Sequence, residues 1–172
     1  MTKKDFQNWS REKILHEYKE LSKRKKFGIV WEDKTEEVAE QCKTHLPVLK
    51  EEKKKVISSD KAEIDHVFIQ GDNYHALSVL NYTHRKKVDV IFIDPPYNTG
   101  NQSWIYNNSY VDREDRFKHS KWLSFMSKRL RLARNLLKED GFFIVTIDHN
   151  ELFALGLLTD EIFGEANRLG VI

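Results

Sequence analysis

Val88-Asp89-Val90-Ile91-Phe92-Ile93-Asp94-Pro95-Pro96-Tyr97 decides the architecture of this chain. An apolar run rich in β-branched residues ends at a carboxylate and is stopped by two adjacent prolines. Runs of this kind, bounded by turn residues, suit strands buried on both faces. Proline in a central strand would remove a ladder hydrogen bond, so the strand must end here. Asn98-Thr99-Gly100 continues the turn.

The same alternation extends on both sides. Downstream, residues 120–137 read as a long helix, with Trp122, Met126, Leu130, Ala133 and Leu137 recurring at intervals of three and four. Gly141 punctuates it, and residues 142–147 form a second buried-strand candidate that ends at Asp148. Asn150 is a candidate cap for a last helix running to Phe163, with Gly164 as its stop. Upstream, Val67-Phe68-Ile69 is a short apolar run ending at Gly71-Asp72, and residues 73–80 look helical. The order from residue 64 is strand, helix, strand, loop, helix, strand, helix. That order argues for an α/β domain with about three parallel strands.

Residues 1–62 have a different character and are read as a charged, helical N-terminal arm, distinct from a domain over 63–172. Ile14, Leu15, Tyr18 and Leu21 share one helical face, with Ser10 as a candidate N-cap. Lys23-Arg24-Lys25-Lys26 precedes a short apolar run from Phe27 to Trp31. Residues 32–62 are dominated by Glu and Lys, contain Pro47, and read as a loosely packed connection with weak helical tendency over 36–43.

Bulk composition excludes several classes. With 172 residues, 40% hydrophobic and 33% charged, the balance suits one globular domain with an extension. No run of about 18 apolar residues predicts a membrane span. The N-terminus lacks an apolar signal core, so a cytoplasmic location is expected. The single cysteine, Cys42, excludes an internal disulfide and a cysteine-built metal site, and no metal is expected. A net charge of +2 does not by itself identify a nucleic-acid binder. Lys23-Arg24-Lys25-Lys26 and Lys53-Lys54-Lys55 offer contact to phosphates, with solvated faces as the alternative.

The chemistry concentrates at the strand ends. In open parallel sheets, ligands bind beyond the carboxyl ends of the strands. Asp72, Asp94 and Asp148 each follow an expected strand, which points to a shared polar rim. Two prolines in succession fix φ and restrict the residue before them, holding Asp94 and Tyr97 in fixed relation. The corner then offers a carboxylate, a carbonyl acceptor and an aromatic plane. That set suits an amino group on a flat ring. Two acceptors on its N–H bonds would localise the nitrogen lone pair, while Tyr97 stacks the ring for on the order of 1–3 kcal/mol. Within a duplex the amine is out of reach, so the base would be flipped out.

Residues 88–100 resemble the catalytic motif of amino-group DNA methyltransferases, and more closely the modification subunit of type III restriction–modification systems. The segments Gly71-Asp72-Asn73-Tyr74-His75-Ala76-Leu77, Leu80-Asn81-Tyr82-Thr83-His84 and His119-Ser120-Lys121-Trp122-Leu123-Ser124-Phe125-Met126 resemble the same family. So do residues 141–148, Asn150-Glu151 and Asp160-Glu161-Ile162-Phe163-Gly164; the likeness covers about residues 27–165. The resemblance implies a Rossmann-like methyltransferase sheet, here partial, and methyl transfer from S-adenosylmethionine to adenine N6 in DNA. Asp94 and the Pro95 carbonyl would hold the amine beside Pro96, and Tyr97 would stack the base. Asp72, Asn73 and Asp148 fall to the cofactor side, with helix capping as the other role for Asp72. Trp122 reads as core packing. Expected partners are DNA, the restriction subunit of the same system and a second copy of the full-length protein.

One departure stands out. The family's downstream Phe-x-Gly-x-Gly segment does not occur among the seven glycines of this chain. The expectation is therefore an incomplete catalytic domain with exposed sheet edges and an uncovered hydrophobic face. Alone it should bind S-adenosylmethionine weakly and leave DNA unmethylated. The competing readings are an inactive remnant or binding module, and methylation of RNA or protein.

Overall fold

A computed structural model describes residues 9–23, 28–56 and 66–172. The boundary expected at 62/63, most of the first basic cluster and Phe27 lie outside the described residues.

The α/β reading holds, with a short parallel sheet at its centre. Strands β1 (Val88–Ile93) and β4 (Leu137–Val145) pair in parallel, matching Val90 to Phe142, Ile91 to Phe143 and Ile93 to Val145. Helix α3 (Asn73–Thr83) precedes β1, helix α4 (Lys118–Leu136) feeds directly into β4, and helix α5 (Leu152–Phe163) follows. Gly164, at φ 96°, stops α5 as expected, in a backbone region that residues with a Cβ rarely adopt.

Alternation along the strands sorts their side chains. Ile93, Phe143 and Val145 pack inward, against a core built from Trp122, Leu123, Met126 and Leu130 of α4 and Leu155, Leu158 and Ile162 of α5. Phe143 stacks on Phe163 with centroids 4.8 Å apart. On the opposite face, Val90 and Phe92 of β1 stand beside Phe142 and Ile144 of β4, all roughly half-exposed. This is the uncovered hydrophobic face expected from the sequence.

Three details differ from the expectation. Val67-Phe68-Ile69 forms no strand, and Val67 and Phe68 are 83% and 89% exposed. An extended segment needs a neighbour for its backbone groups, and the described parallel sheet contains only β1 and β4. Two parallel strands therefore stand where about three were expected. Next, the segment read as a loop between β1 and α4 carries an antiparallel hairpin, β2 (Asn101–Tyr106) and β3 (Ser109–Asp112). Its turn residues Asn107 and Asn108 both have positive φ, 50° and 62°, as a tight two-residue hairpin turn requires. Finally, β4 begins at Leu137 and runs through Gly141, so that glycine lies within a strand rather than between elements.

The N-terminal helix α1 (Arg11–Lys23) forms with Ser10 Oγ accepting the Lys13 N–H at 3.3 Å. Its Ile14, Leu15 and Tyr18 are exposed. The stretch that follows packs more closely than its composition suggests. Ile29 and Trp31 lie against the core, and the Lys34 N–H donates to Ser124 Oγ at 2.9 Å. Helix α2 (Glu37–Gln41) then brings Ala39 into a buried position.

Candidate functional site

Strand β1 ends at Ile93 and delivers Asp94 to the carboxyl edge of the sheet. Beside it, Thr146 directly follows β4, and its backbone N–H donates to the Ile93 carbonyl at 3.1 Å, extending the ladder by one bond. That register places the Thr146 hydroxyl on Asp94 Oδ1 at 2.6 Å. The Tyr97 hydroxyl donates to the same oxygen at 2.7 Å. These two donors, Thr146 first and Tyr97 second, hold the Asp94 carboxyl below its ordinary value. The acid and the phenol of the sequence motif therefore meet in one corner, and both bonds fall on Oδ1.

The prolines are fixed from behind. Pro95 is buried, and the Trp122 indole N–H donates to the Pro96 carbonyl at 2.6 Å. Trp122 is fully buried, as its place on the apolar helix face implied, but it also anchors the turn. The next residue, Asn98, is buried in the left-handed conformation at φ 57°. Its Nδ2 donates to Glu151 Oε1, and its Oδ1 accepts the Trp104 indole N–H at 3.0 Å. Gly100, at φ 80°, closes the turn, where a Cβ would lie 2.5 Å from the Cβ of Arg113.

Asp72 lies in a different environment. It caps α3 by accepting the Tyr74 N–H at 2.7 Å, and it pairs with Arg129 at 3.2 Å. Arg129 is buried, pairs with buried Glu36 at 2.7 Å, and lies over the Phe125 ring. Asp72 also lines a cavity of about 630 Å³ with Cys42, Leu46, Ile69, His75 and Val79, a cavity whose walls include none of residues 94–97. Asn73 begins α3 beside it and is exposed. Asp148, just past β4, accepts both the backbone N–H and the side-chain Nδ2 of Asn150. Asn150 therefore supports the Asp148 turn, while Glu151 occupies the cap position of α5 without a capping bond.

The expected rim thus divides. Asp94, Pro95, Pro96 and Tyr97 form one corner with Thr146, while Asp72 faces a cavity beside α2 and α3. Thr146, Asn98, Glu151 and His119 lie in segments that resemble the family, but the sequence assigned none of them a role at the site. Thr146 could have been found from register alone, because it follows the strand that pairs with β1. Among the described residues no group of three acidic, histidine or cysteine side chains could hold a metal ion. None of their helices is long and apolar enough to cross a membrane.

Known proteins resemble the chain over the same region. Residues 88–171 match the N6/N4 methyltransferase family model, described as DNA methylase. Over these residues the chain is similar to amino-group DNA methyltransferases. Mod subunits of type III restriction-modification enzymes are among the proteins it resembles. It is 36% identical over 146 residues to the type III restriction-modification enzyme EcoP15I Mod subunit of Escherichia coli, covering 72% of this chain and 23% of that protein. It is 43% identical over 121 residues to the StyLTI Mod subunit of Salmonella typhimurium, covering 58% and 19%. It is also 42% identical over 103 residues to the type II methyltransferase M.KpnI of Klebsiella pneumoniae, covering 59% and 25%. The chain therefore spans about a fifth to a quarter of these curated relatives.

Proposed function

We propose that the Asp94–Tyr97 corner is the target-base site of a DNA adenine-N6 methyltransferase. The observation that carries this reading is the junction of Asp94 and Tyr97 at the end of β1, with Thr146 completing it. Tyr97 and Thr146 both occupy Asp94 Oδ1, which leaves Oδ2 to accept an N–H of the exocyclic amine. A carboxyl held below its ordinary value is ionised at neutral pH and acts as an acceptor. The Pro95 carbonyl is the second acceptor, since the Pro96 carbonyl is engaged by Trp122. With both N–H bonds held, the nitrogen lone pair is directed out of the ring plane. Tyr97 stacks the extruded adenine, and its bond to Asp94 sets the ring's angle.

The methyl donor in this reading is S-adenosylmethionine, which supplies an electrophilic methyl group when bound. Asp72, on the wall of the 630 Å³ cavity, retains an exposed carboxylate edge suited to hydroxyl or ammonium groups. Asn73 beside it and Asp148 past β4 are the other candidates to hold the donor. The whole protein would act in the cytoplasm on DNA, with a restriction subunit and a second copy of itself as partners.

The test is transfer of a tritiated methyl group to adenine-containing DNA. It should be run on this chain alone and together with the remaining portion of a Mod subunit. Label is expected on adenine in the completed protein, and Asp94→Ala should abolish it. Labelling that survives Asp94→Ala, or that appears on RNA or protein instead, would overturn the reading. No transfer by the completed wild type would leave a binding module.

A further inference from the structure

Behind the corner lies a buried carboxylate that the proposed chemistry does not use. The Glu151 side chain is 0% exposed. Its Oε1 accepts from Asn98 Nδ2 and pairs with His119 Nδ1, both at 2.5 Å. Its Oε2 is buried and has no hydrogen-bond partner among the described residues. A buried carboxylate is strongly disfavoured unless it is paired. Here the pairing comes from an imidazole at the start of α4, itself 57% exposed.

The placement is specific. Asn98 directly follows Tyr97 and takes up the left-handed conformation, which a side chain tied at both ends can hold. Glu151 takes the amide nitrogen of Asn98, and Trp104 of β2 takes the amide oxygen. The chain leaving Tyr97 is thereby gripped by three separate elements: β2, α4 through His119, and the entrance to α5. Trp122 grips the other end of the turn at Pro96.

We infer that Glu151 is a positioning residue for methyl transfer, fixing through Asn98 the direction in which Tyr97 meets the target base, with His119 Nδ1 as its second partner. This inference rests on the proposed methyltransferase reading. Misplacing a reacting group by about 1 Å lowers rate on the order of a hundredfold. The loss should therefore fall on kcat, while DNA binding, which keeps the Tyr97 ring, stays near wild type.

The experiment compares Glu151→Gln and Glu151→Ala with wild type in the completed protein, and by nitrogen-15 NMR in this chain. Glutamine keeps an accepting oxygen for Asn98 and His119, and its nitrogen replaces an oxygen that has no bond to lose. Glu151→Ala should lower kcat on the order of a hundredfold with KM for DNA within about twofold. Glu151→Gln should recover kcat to within about fivefold of wild type by the same reasoning. The Asn98 side-chain amide should be protected from solvent exchange in wild type and Glu151→Gln, and unprotected in Glu151→Ala. Equal loss of kcat in both variants, or a loss confined to KM, overturns the inference. So does an unchanged kcat in Glu151→Ala. If the completed wild type transfers no methyl group, the functional reading fails and NMR alone decides the anchoring. Protection of Asn98 that persists in Glu151→Ala, or is missing in wild type, then overturns it.

Discussion

At the scale of single residues, the acid of the corner depends on its donors. The Thr146 and Tyr97 hydroxyls stabilise the charged form of Asp94, so removing either raises its pKa. Thr146→Val should shift the Asp94 titration upward toward the ordinary carboxylate value, read by carbon-13 NMR of the side-chain carboxyl. The folded value lies below the unfolded one. The contribution to stability is therefore present above the unfolded value and fades as pH falls through the folded one. An unchanged titration in Thr146→Val would mean that the hydroxyl is not the donor described. Tyr97 separates two roles in the proposed site. Tyr97→Phe keeps the stacking plane and loses one donor. Tyr97→Ala loses the plane, and should weaken binding to DNA carrying an unpaired target adenine by about 1–3 kcal/mol. Equal affinities for the two variants, measured by fluorescence anisotropy, would remove stacking from the account.

At the scale of elements, α4 carries most of the organisation. One face supplies the core, Trp122 holds the proline turn, and Arg129 joins Glu36 of the N-terminal stretch to Asp72 at the head of α3. Glu36 and Arg129 are both buried, so removing one strands the other without its counter-charge. Arg129→Ala should destabilise the fold by about 3–5 kcal/mol. Paired replacement by apolar residues of similar volume, Arg129→Met with Glu36→Leu, should recover much of this. Urea denaturation checks both, and a double variant no more stable than Arg129→Ala would refute the pairing. Helix α4 was legible from its apolar spacing, α3 from Asp72 at its head and α5 from the Gly164 stop, while the Asn150 cap expected for α5 is not formed. The hairpin was missed although Trp104-Ile105-Tyr106-Asn107-Asn108-Ser109-Tyr110-Val111 carries its signal, aromatic and β-branched runs around a two-asparagine turn. Val67-Phe68-Ile69 failed for the opposite reason. Local composition favours a strand, but pairing needs a partner, which local composition cannot supply. In the candidate site, Asp94 and Tyr97 were readable because the prolines fix their spacing. Thr146, Glu151 and His119 lie in family-like segments, but their contacts depend on register and packing between distant parts of the chain, which the local sequence does not show.

At the scale of the molecule, among the described residues the sheet is covered on one side only. Val90, Phe92, Phe142 and Ile144 make an apolar surface beside the candidate site, and contiguous patches of this kind promote association. Phe92→Lys should reduce self-association in sedimentation velocity while leaving the urea midpoint nearly unchanged. A large fall in the midpoint would place Phe92 in the stabilising core instead. A second whole-molecule feature is the grip of the hairpin tip on the N-terminal stretch. Asn107 Oδ1 accepts the Glu37 N–H at 2.8 Å, its Nδ2 donates to the Thr35 carbonyl at 2.9 Å, and Asn108 Nδ2 donates to Glu37 Oε2 at 3.2 Å. Glycine would satisfy the backbone of such a bend equally well, so what asparagine adds is a clasp. Asn107→Gly should keep the hairpin closed while amides near residue 37 exchange faster with deuterium, unfastening the N-terminal stretch from the arch that leads back to Asp94 and Tyr97.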